Sequence, residues 1–374
     1  MASDVPKFSV VRSSVVNDTI PDAMLPMGLV RVGERSLLTV FCDGGDLMPG
    51  SKAYLFRSDD LGKTWKKEPE LVFGSDAPNI GMGAGLAALP DGNLLLIEMV
   101  QTYHSNDQTW DAVFKGRSSS FPLKTSSDGG RTFQPSGSLP FPAGANGGVM
   151  GTVVALANGD LILPGYQYPG RSPKEEKAAY GSGFFRSQDG GKTWGKLEVS
   201  FQDPIPERTH PMNFNESTYV VRPDGSIVAY ARIDSEKLDG SDARQWQSRG
   251  NNLWWVESFD HGETWSSPKE TSIGGIFPAM LRMGNHYLLA CGNRHETPTR
   301  KVCFYTSDNG LDFQRVGYAP YQRTDGRCLS SATGGSQCLV ALNEREAYCI
   351  YYAADSRLSS EHHTYIEGCL IRLD

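Results

Sequence analysis

The segment Asn215-Glu216-Ser217-Thr218 is followed, sixteen residues beyond its glutamate, by Arg232. A carboxylate can move protons or attack carbon. A planar guanidinium presents two parallel N–H donors that match the two oxygens of a bound carboxylate. Between them lie two apolar runs, Tyr219-Val220-Val221 and Ile227-Val228-Ala229-Tyr230, split by Arg222-Pro223-Asp224-Gly225-Ser226. This pattern predicts a β-hairpin. Glu216 enters its first strand and Arg232 leaves its second, so the two meet at one end.

That hairpin is one of a series. Leu89-Pro90-Asp91-Gly92-Asn93-Leu94 and Leu156-Ala157-Asn158-Gly159-Asp160-Leu161 repeat the same phrase. Looser copies run from Val32, Met283 and Asn343, so six hairpins recur at intervals of roughly 59 to 67 residues. A strand-built repeat of this size predicts propeller blades of four strands each. The 41 Gly and 22 Pro agree with an all-β chain rich in turns.

A second phrase follows the first. It reads Ser58-Asp59-Asp60-Leu61-Gly62-Lys63-Thr64-Trp65 and recurs from Ser126, Ser187 and Ser258, with a degenerate copy from Thr306 to Phe313. The Asp is placed to accept hydrogen bonds from the turn, the Gly to take a left-handed backbone, and the aromatic to pack the turn on its blade. The box carboxylates Asp60, Asp128, Asp189 and Asp260 are therefore read as structural rather than as calcium ligands.

This phrase is the Asp-box, and with it the chain resembles the sialidase superfamily over nearly its whole length. The resemblance implies a six-bladed β-propeller of four-stranded antiparallel blades, and a sialidase-like exo-glycoside hydrolase acting on a terminal, acidic sugar. The C-terminal run from His363 to Leu373 and the N-terminal Phe8-Ser9-Val10-Val11 are expected to close the ring, with residues 1–374 as one domain.

In such blades the Gly turns and the boxes share one rim, and the opposite rim carries the starts of strand one and the ends of strand two. Loops converge on a pocket at this mouth. Positions before strand one include Asp22, Leu25, Asn79, Met82, Asn146, Asn215, Glu216, Phe277 and Ser330 to Ser336. Those after strand two include Asp43, Tyr103, His104, Tyr166, Tyr168, Arg232, Asp234, Arg294, His295, Ala353 and Asp355. The long insertions of blades two and four add Trp110, Trp246, Arg244 and Arg249, suited to walling a sugar site by stacking and charge.

The Glu216–Arg232 spacing resembles the sialidase glutamate followed by one of three substrate-binding arginines, and Arg300 resembles another of that trio. Other family positions differ. The region matching the first arginine is Asp22-Ala23-Met24-Leu25-Pro26-Met27, the arginine's supporting carboxylate falls at Ala353, and the acid/base aspartate falls at Lys52. The nucleophilic tyrosine falls near Gly335.

Three functions follow from these residues. A glycosidase would use Glu216 with a second carboxylate from Asp22, Asp43, Asp234 or Glu98, while Arg232, Arg300, Arg294 and Lys52 hold the substrate's charge and Tyr166 and Trp246 its ring. A lyase acting on a uronate polymer would use His104 or a tyrosine among Tyr103, Tyr166 and Tyr168 as base, with arginines neutralising the uronate. A glycan-binding propeller without chemistry is the third. The net charge of −7 argues against nucleic-acid partners. No apolar run is long enough to span a bilayer. The first residues, Met1-Ala2-Ser3-Asp4-Val5-Pro6-Lys7, lack a signal peptide's apolar stretch, so the expected location is cytoplasmic, or secreted with the signal removed. Seven Cys without a CxxC pair read as free thiols, and neither metal nor other cofactor is expected.

Overall fold

The computed structural model describes residues 6–44, 47–104, 116–168, 181–202, 213–234, 252–293, 301–320, 336–355 and 363–374. Among them are twenty-six strands and no helix, arranged in six antiparallel sheets. The six sheets are the blades of a β-propeller.

Blade one is β2(Leu29–Val32), β3(Ser36–Cys42), β4(Ala53–Ser58) and β5(Lys66–Phe73). In blade two, β6(Ile80–Ala88) and β7(Leu94–Tyr103) precede a third strand divided at Phe121 into β8(Arg117–Ser120) and β9(Pro122–Ser126), then β10(Gln134–Ser138). Blade three divides its first strand into β11(Gly147–Val149) and β12(Val154–Ala155), ahead of β13(Leu161–Gln167), β14(Gly181–Ser187) and β15(Leu197–Phe201). Blade four is β16(Asn213–Val221), β17(Ile227–Asp234), β18(Asn252–Ser258) and β19(Lys269–Gly274). Blade five is β20(Ile276–Met283), β21(His286–Asn293), β22(Lys301–Ser307) and β23(Gln314–Tyr318). In blade six, β24(Cys338–Ala341), β25(Glu346–Asp355) and β26(His363–Leu373) are completed by the N-terminal β1(Phe8–Asn17). β1 runs antiparallel to β26 from Phe8 opposite Leu373 onward, so the ring closes as the sequence predicts.

Side-chain alternation explains the continuous apolar runs. On β7, Leu94 and Leu96 face the cluster shared with blade one, whereas Leu95 and Ile97 face the cluster shared with blade three. Each central strand buries both faces, so it reads as uninterrupted Leu and Ile rather than alternating with polar residues. Six hydrophobic clusters result, one between each pair of neighbouring blades.

The inner hairpin turns differ in detail from the tightest form. Leu89, Leu156 and Arg222 each accept a bond from the glycine three residues on and donate to the residue four on. Only Gly92, Gly159 and Gly225 take positive φ (87°, 91° and 84°). These are three-residue loops in which the preceding pair turns normally and glycine alone takes the left-handed position.

The second phrase forms the turn between strands three and four. Ser58 donates to Asp60 Oδ1 (2.8 Å), Thr64 N–H donates to the same oxygen (2.9 Å), and the Thr64 hydroxyl donates to Oδ2 (2.7 Å). Asp128, Asp189 and Asp260 are held alike. In the fifth turn Asn309 takes the aspartate's place, accepting from Ser307, Leu311 and Asp312.

Four of these turns are stapled to the preceding blade by an arginine. Arg57 donates to Gly129 C=O (2.9 Å), Arg186 to His261 C=O (3.0 Å), Arg222 to Asn309 C=O (2.9 Å) and Arg12 to Leu61 C=O (2.5 Å). The carbonyl in each case is the residue before the turn's central glycine. Gly62 shows why that glycine is required: its φ is +81°, and a Cβ there would lie 2.3 Å from the Tyr348 ring of blade six.

Candidate functional site

Glu216 and Arg232 are brought together by a β-bulge. Phe214 pairs with Ile233 and Ser217 with Ala231, so Asn215 and Glu216 together oppose Arg232. A bulge breaks the alternation of side chains and re-aims one of them. Asn215 supports it locally, its Oδ1 accepting the Glu216 N–H at 2.8 Å. Arg232 Nη1 then donates to Glu216 Oε1 at 2.7 Å. The carboxylate is 3% exposed.

The other Glu216 oxygen leaves its blade. Oε2 accepts the Phe277 N–H of β20 at 3.0 Å. Two residues on, the Thr218 hydroxyl accepts the Met280 N–H, also at 3.0 Å. The innermost strand of each blade is a sheet edge, whose outward amides have no strand to pair with. Here the side chains of β16 satisfy two of those of β20.

Phe277 lies in a second bulge. Ile276 pairs with Gly292 and Ala279 with Ala290, leaving Phe277 and Pro278 opposite Cys291. Proline is tolerated in a strand at such a point because no ladder bond is needed there. The Phe277 φ is 47°, a backbone that costs a non-glycine residue about 1–3 kcal/mol. It is gripped from both sides: Glu216 takes its N–H, and Gln337 Nε2 donates to its C=O. Gln337 is 3% exposed and also reaches Ala290 C=O at 3.2 Å. Leu25 and Ser336, just before the first strands of their blades, have φ of 51° and 50°. Backbone strain gathers on this rim.

The other expected site residues that the structure describes are engaged separately from this pair. Asp43 closes its own loop: Lys52 N–H donates to Oδ1 and the Tyr54 hydroxyl to Oδ2, both at 2.6 Å. Burial, reinforced by Asp43, pushes the Tyr54 phenol well up. The Lys52 ammonium points outward to Asp76 at 3.8 Å. His104 is exposed, with Nε2 2.8 Å from the Ser118 hydroxyl. Tyr166 is half-buried, edge-on to Tyr168 with ring centroids 5.2 Å apart. Its phenol lies across Gly148 of the inner strand, where a Cβ would come within 2.5 Å of the hydroxyl. Glu98 is occupied inside blade two by Lys124 at 2.6 Å, and Ala353 is buried in the contact between blades five and six. Arg294, Arg300 and Trp246 lie outside the described residues, as do Trp110, Arg244, Arg249 and His295.

The structure thus joins Glu216 to Arg232 directly and Asp43 to the Lys52 backbone. Sequence reasoning missed Gln337 and Thr218. Thr218 was signalled by its spacing of two from Glu216, which puts both on one strand face. Among the described residues no three His, Cys, Asp or Glu side chains gather as a metal site, and no helix is long and apolar enough to cross a membrane.

Solved structures share this architecture. A protein of unknown function from Dyadobacter fermentans superposes with a TM-score of 0.71 at 18% identity, covering 99% of this chain and 100% of its own. The intramolecular trans-sialidase from Ruminococcus gnavus gives 0.60 at 14%, covering 94% and 96%. The alpha-L-arabinofuranosidase from Fusarium graminearum gives 0.61 at 12%, covering 98% and 97%. At such identities the likeness is one of fold. No curated protein sequence matches the chain. Residues 82–273, more than half of the chain, match the family described as a BNR repeat-like domain. With its repeated turns in register round a six-bladed ring, the chain belongs to the BNR repeat-like domain family.

Proposed function

We propose that the chain is a carbohydrate-active propeller, a single domain over 1–374, acting as an exo-glycoside hydrolase on a terminal, acidic sugar bound at the mouth. The observation that carries this reading is the 2.7 Å pair of Glu216 and Arg232, set by a bulge at the mouth-side end of an inner hairpin. Arg232 receives the sugar's negative or polar group through its fork of donors, and Glu216 is the carboxylate of the reaction. Propeller neighbours described as a trans-sialidase and an arabinofuranosidase support sialosides as the acidic substrates to try first, with arabinosides as the neutral comparison.

A specific observation favours a second reading, a glycan-binding propeller without turnover. Glu216 is 3% exposed, with one oxygen on Arg232 and the other on the Phe277 amide. Asp43 likewise has both oxygens engaged, by Lys52 and Tyr54. Carboxylates held in this way serve as anchors.

Incubation with chromogenic sialosides, uronosides and arabinosides, beside a uronate polymer followed in the ultraviolet, separates the readings. Release of aryl alcohol, lowered at least about a hundredfold by Glu216→Gln, supports hydrolysis. A rising double-bond absorbance assigns a lyase instead. Glycan capture without turnover assigns the binding propeller.

A further inference from the structure

Phe277 stands on blade five, yet its side chain packs against a hydrophobic cluster whose buried members come from blades one, two and three. To reach that cluster the ring must cross the central hollow of the propeller. Leu25 and Leu47, at the mouth-side end of blade one, belong to the same cluster. Phe277 is half-buried, so part of it is left uncovered by that cluster. Its backbone is held in a left-handed conformation by Glu216 on one side and Gln337 on the other. The same Glu216 carboxylate fixes Arg232. One side chain therefore sets an aromatic ring and a guanidinium relative to each other.

We propose that Phe277 is the floor of the mouth, on which a sugar ring lies by its C–H face while its polar groups meet Arg232. Aromatic faces carry negative charge density and attract the polarised C–H bonds of a sugar, and a ring locked by backbone bonds loses little freedom on binding. Glu216 and Gln337 act as positioning residues for that floor. This rests on the reading of the mouth as a sugar site, and it concerns binding, so it holds with or without turnover. It also gives the strained φ of Phe277 a purpose, since strain persists where the surroundings over-determine it.

The test is capture on an array of immobilised terminal sialosides, glucuronosides and arabinofuranosides by the wild-type chain and by Phe277→Leu, Phe277→Tyr and Arg232→Lys. Leucine keeps apolar bulk against the cluster and tyrosine keeps the ring; melting curves identify folded variants, and Phe277→Met replaces any leucine variant that does not fold. The wild type is expected to retain at least one sugar class. Phe277→Leu should weaken capture about tenfold, and Phe277→Tyr should stay within about threefold. Arg232→Lys should also weaken capture. Loss with Arg232→Lys but none with Phe277→Leu overturns the floor and leaves the mouth reading standing. Capture that neither change affects, or no capture by the wild type, removes the mouth reading and the floor with it.

Discussion

Phe277 of blade five hangs from Glu216 of blade four: its amide meets Oε2 at 3.0 Å while Oε1 holds Arg232 at 2.7 Å. One buried carboxylate therefore ties a hairpin end to the neighbouring blade. Removing one partner of a buried pair leaves the other without compensation, at about 3–5 kcal/mol. Arg232→Leu should lose most of that range. Glu216→Gln, which still offers an oxygen to one of the two donors, should lose about half as much. Urea unfolding of both single variants and the double variant measures the coupling. Additive losses would mean that the pair does not act as a unit.

Arg186 does for blades three and four what no surface charge does. It is 7% exposed, and its guanidinium meets Asp160 at 3.0 Å, Glu198 at 2.9 Å and the His261 carbonyl at 3.0 Å. A lysine's three donors sit on a single nitrogen and cannot reach partners spread around a planar guanidinium. Arg186→Lys should cost about 1–3 kcal/mol, with hydrogen exchange rising first in the turn around His261. Exchange that rises uniformly over the molecule, or not at all, would dissociate this arginine from the seam.

The fold was legible because its signals repeat. Six hairpin turns and five copies of the second turn phrase in register left little freedom, and Phe8-Ser9-Val10-Val11 had one place to pair. The site was legible only in part. The approach of Glu216 to Arg232 followed from hairpin geometry. The bulge that makes it has no local signature beyond Asn215, whose side chain holds the Glu216 amide. The second bulge did have one, Pro278 inside a strand, and its consequence was the bond from Phe277 to another blade. Such contacts join residues 61 apart in sequence, where spacing carries no information. Asp43 shows the converse: a mouth position that looks available is consumed by Lys52 and Tyr54 from its own loop.

Two pairs of cysteines face each other across strands, Cys291 opposite Cys303 and Cys349 opposite Cys369, all buried as free thiols. Burial, with the neighbouring cysteine adding to it, pushes the Cys291 and Cys349 thiols well up. The thiolate is the reactive form. Iodoacetamide at pH 8 should therefore leave these four cysteines unmodified in the native chain and alkylate them in urea, as peptide mass spectrometry reads. Rapid native labelling at any of the four would contradict the packing between blades.

The turn aspartates predict how the propeller responds to acid. The Thr193 hydroxyl, then the Thr193 amide and Ser187, lower the Asp189 carboxyl to about 2; Thr264 does the same first for Asp260, also to about 2. An unfolded aspartate titrates near 3.9. The folded value is the lower one, so the unfolded chain binds the proton first as pH falls. The stabilisation is whole above about pH 4 and is lost as pH drops through about 2. Asp189 is exposed and Asp260 partly exposed, so each contributes modestly and the effect shows as a slope. Asn309 already holds the fifth turn with an amide, accepting from Leu311 and Asp312. Asp189→Asn should therefore fold, and its urea midpoint should fall less between pH 4 and pH 2 than that of the wild type. Parallel midpoints across that interval would show that Asp189 is equally acidic in the folded and unfolded chains.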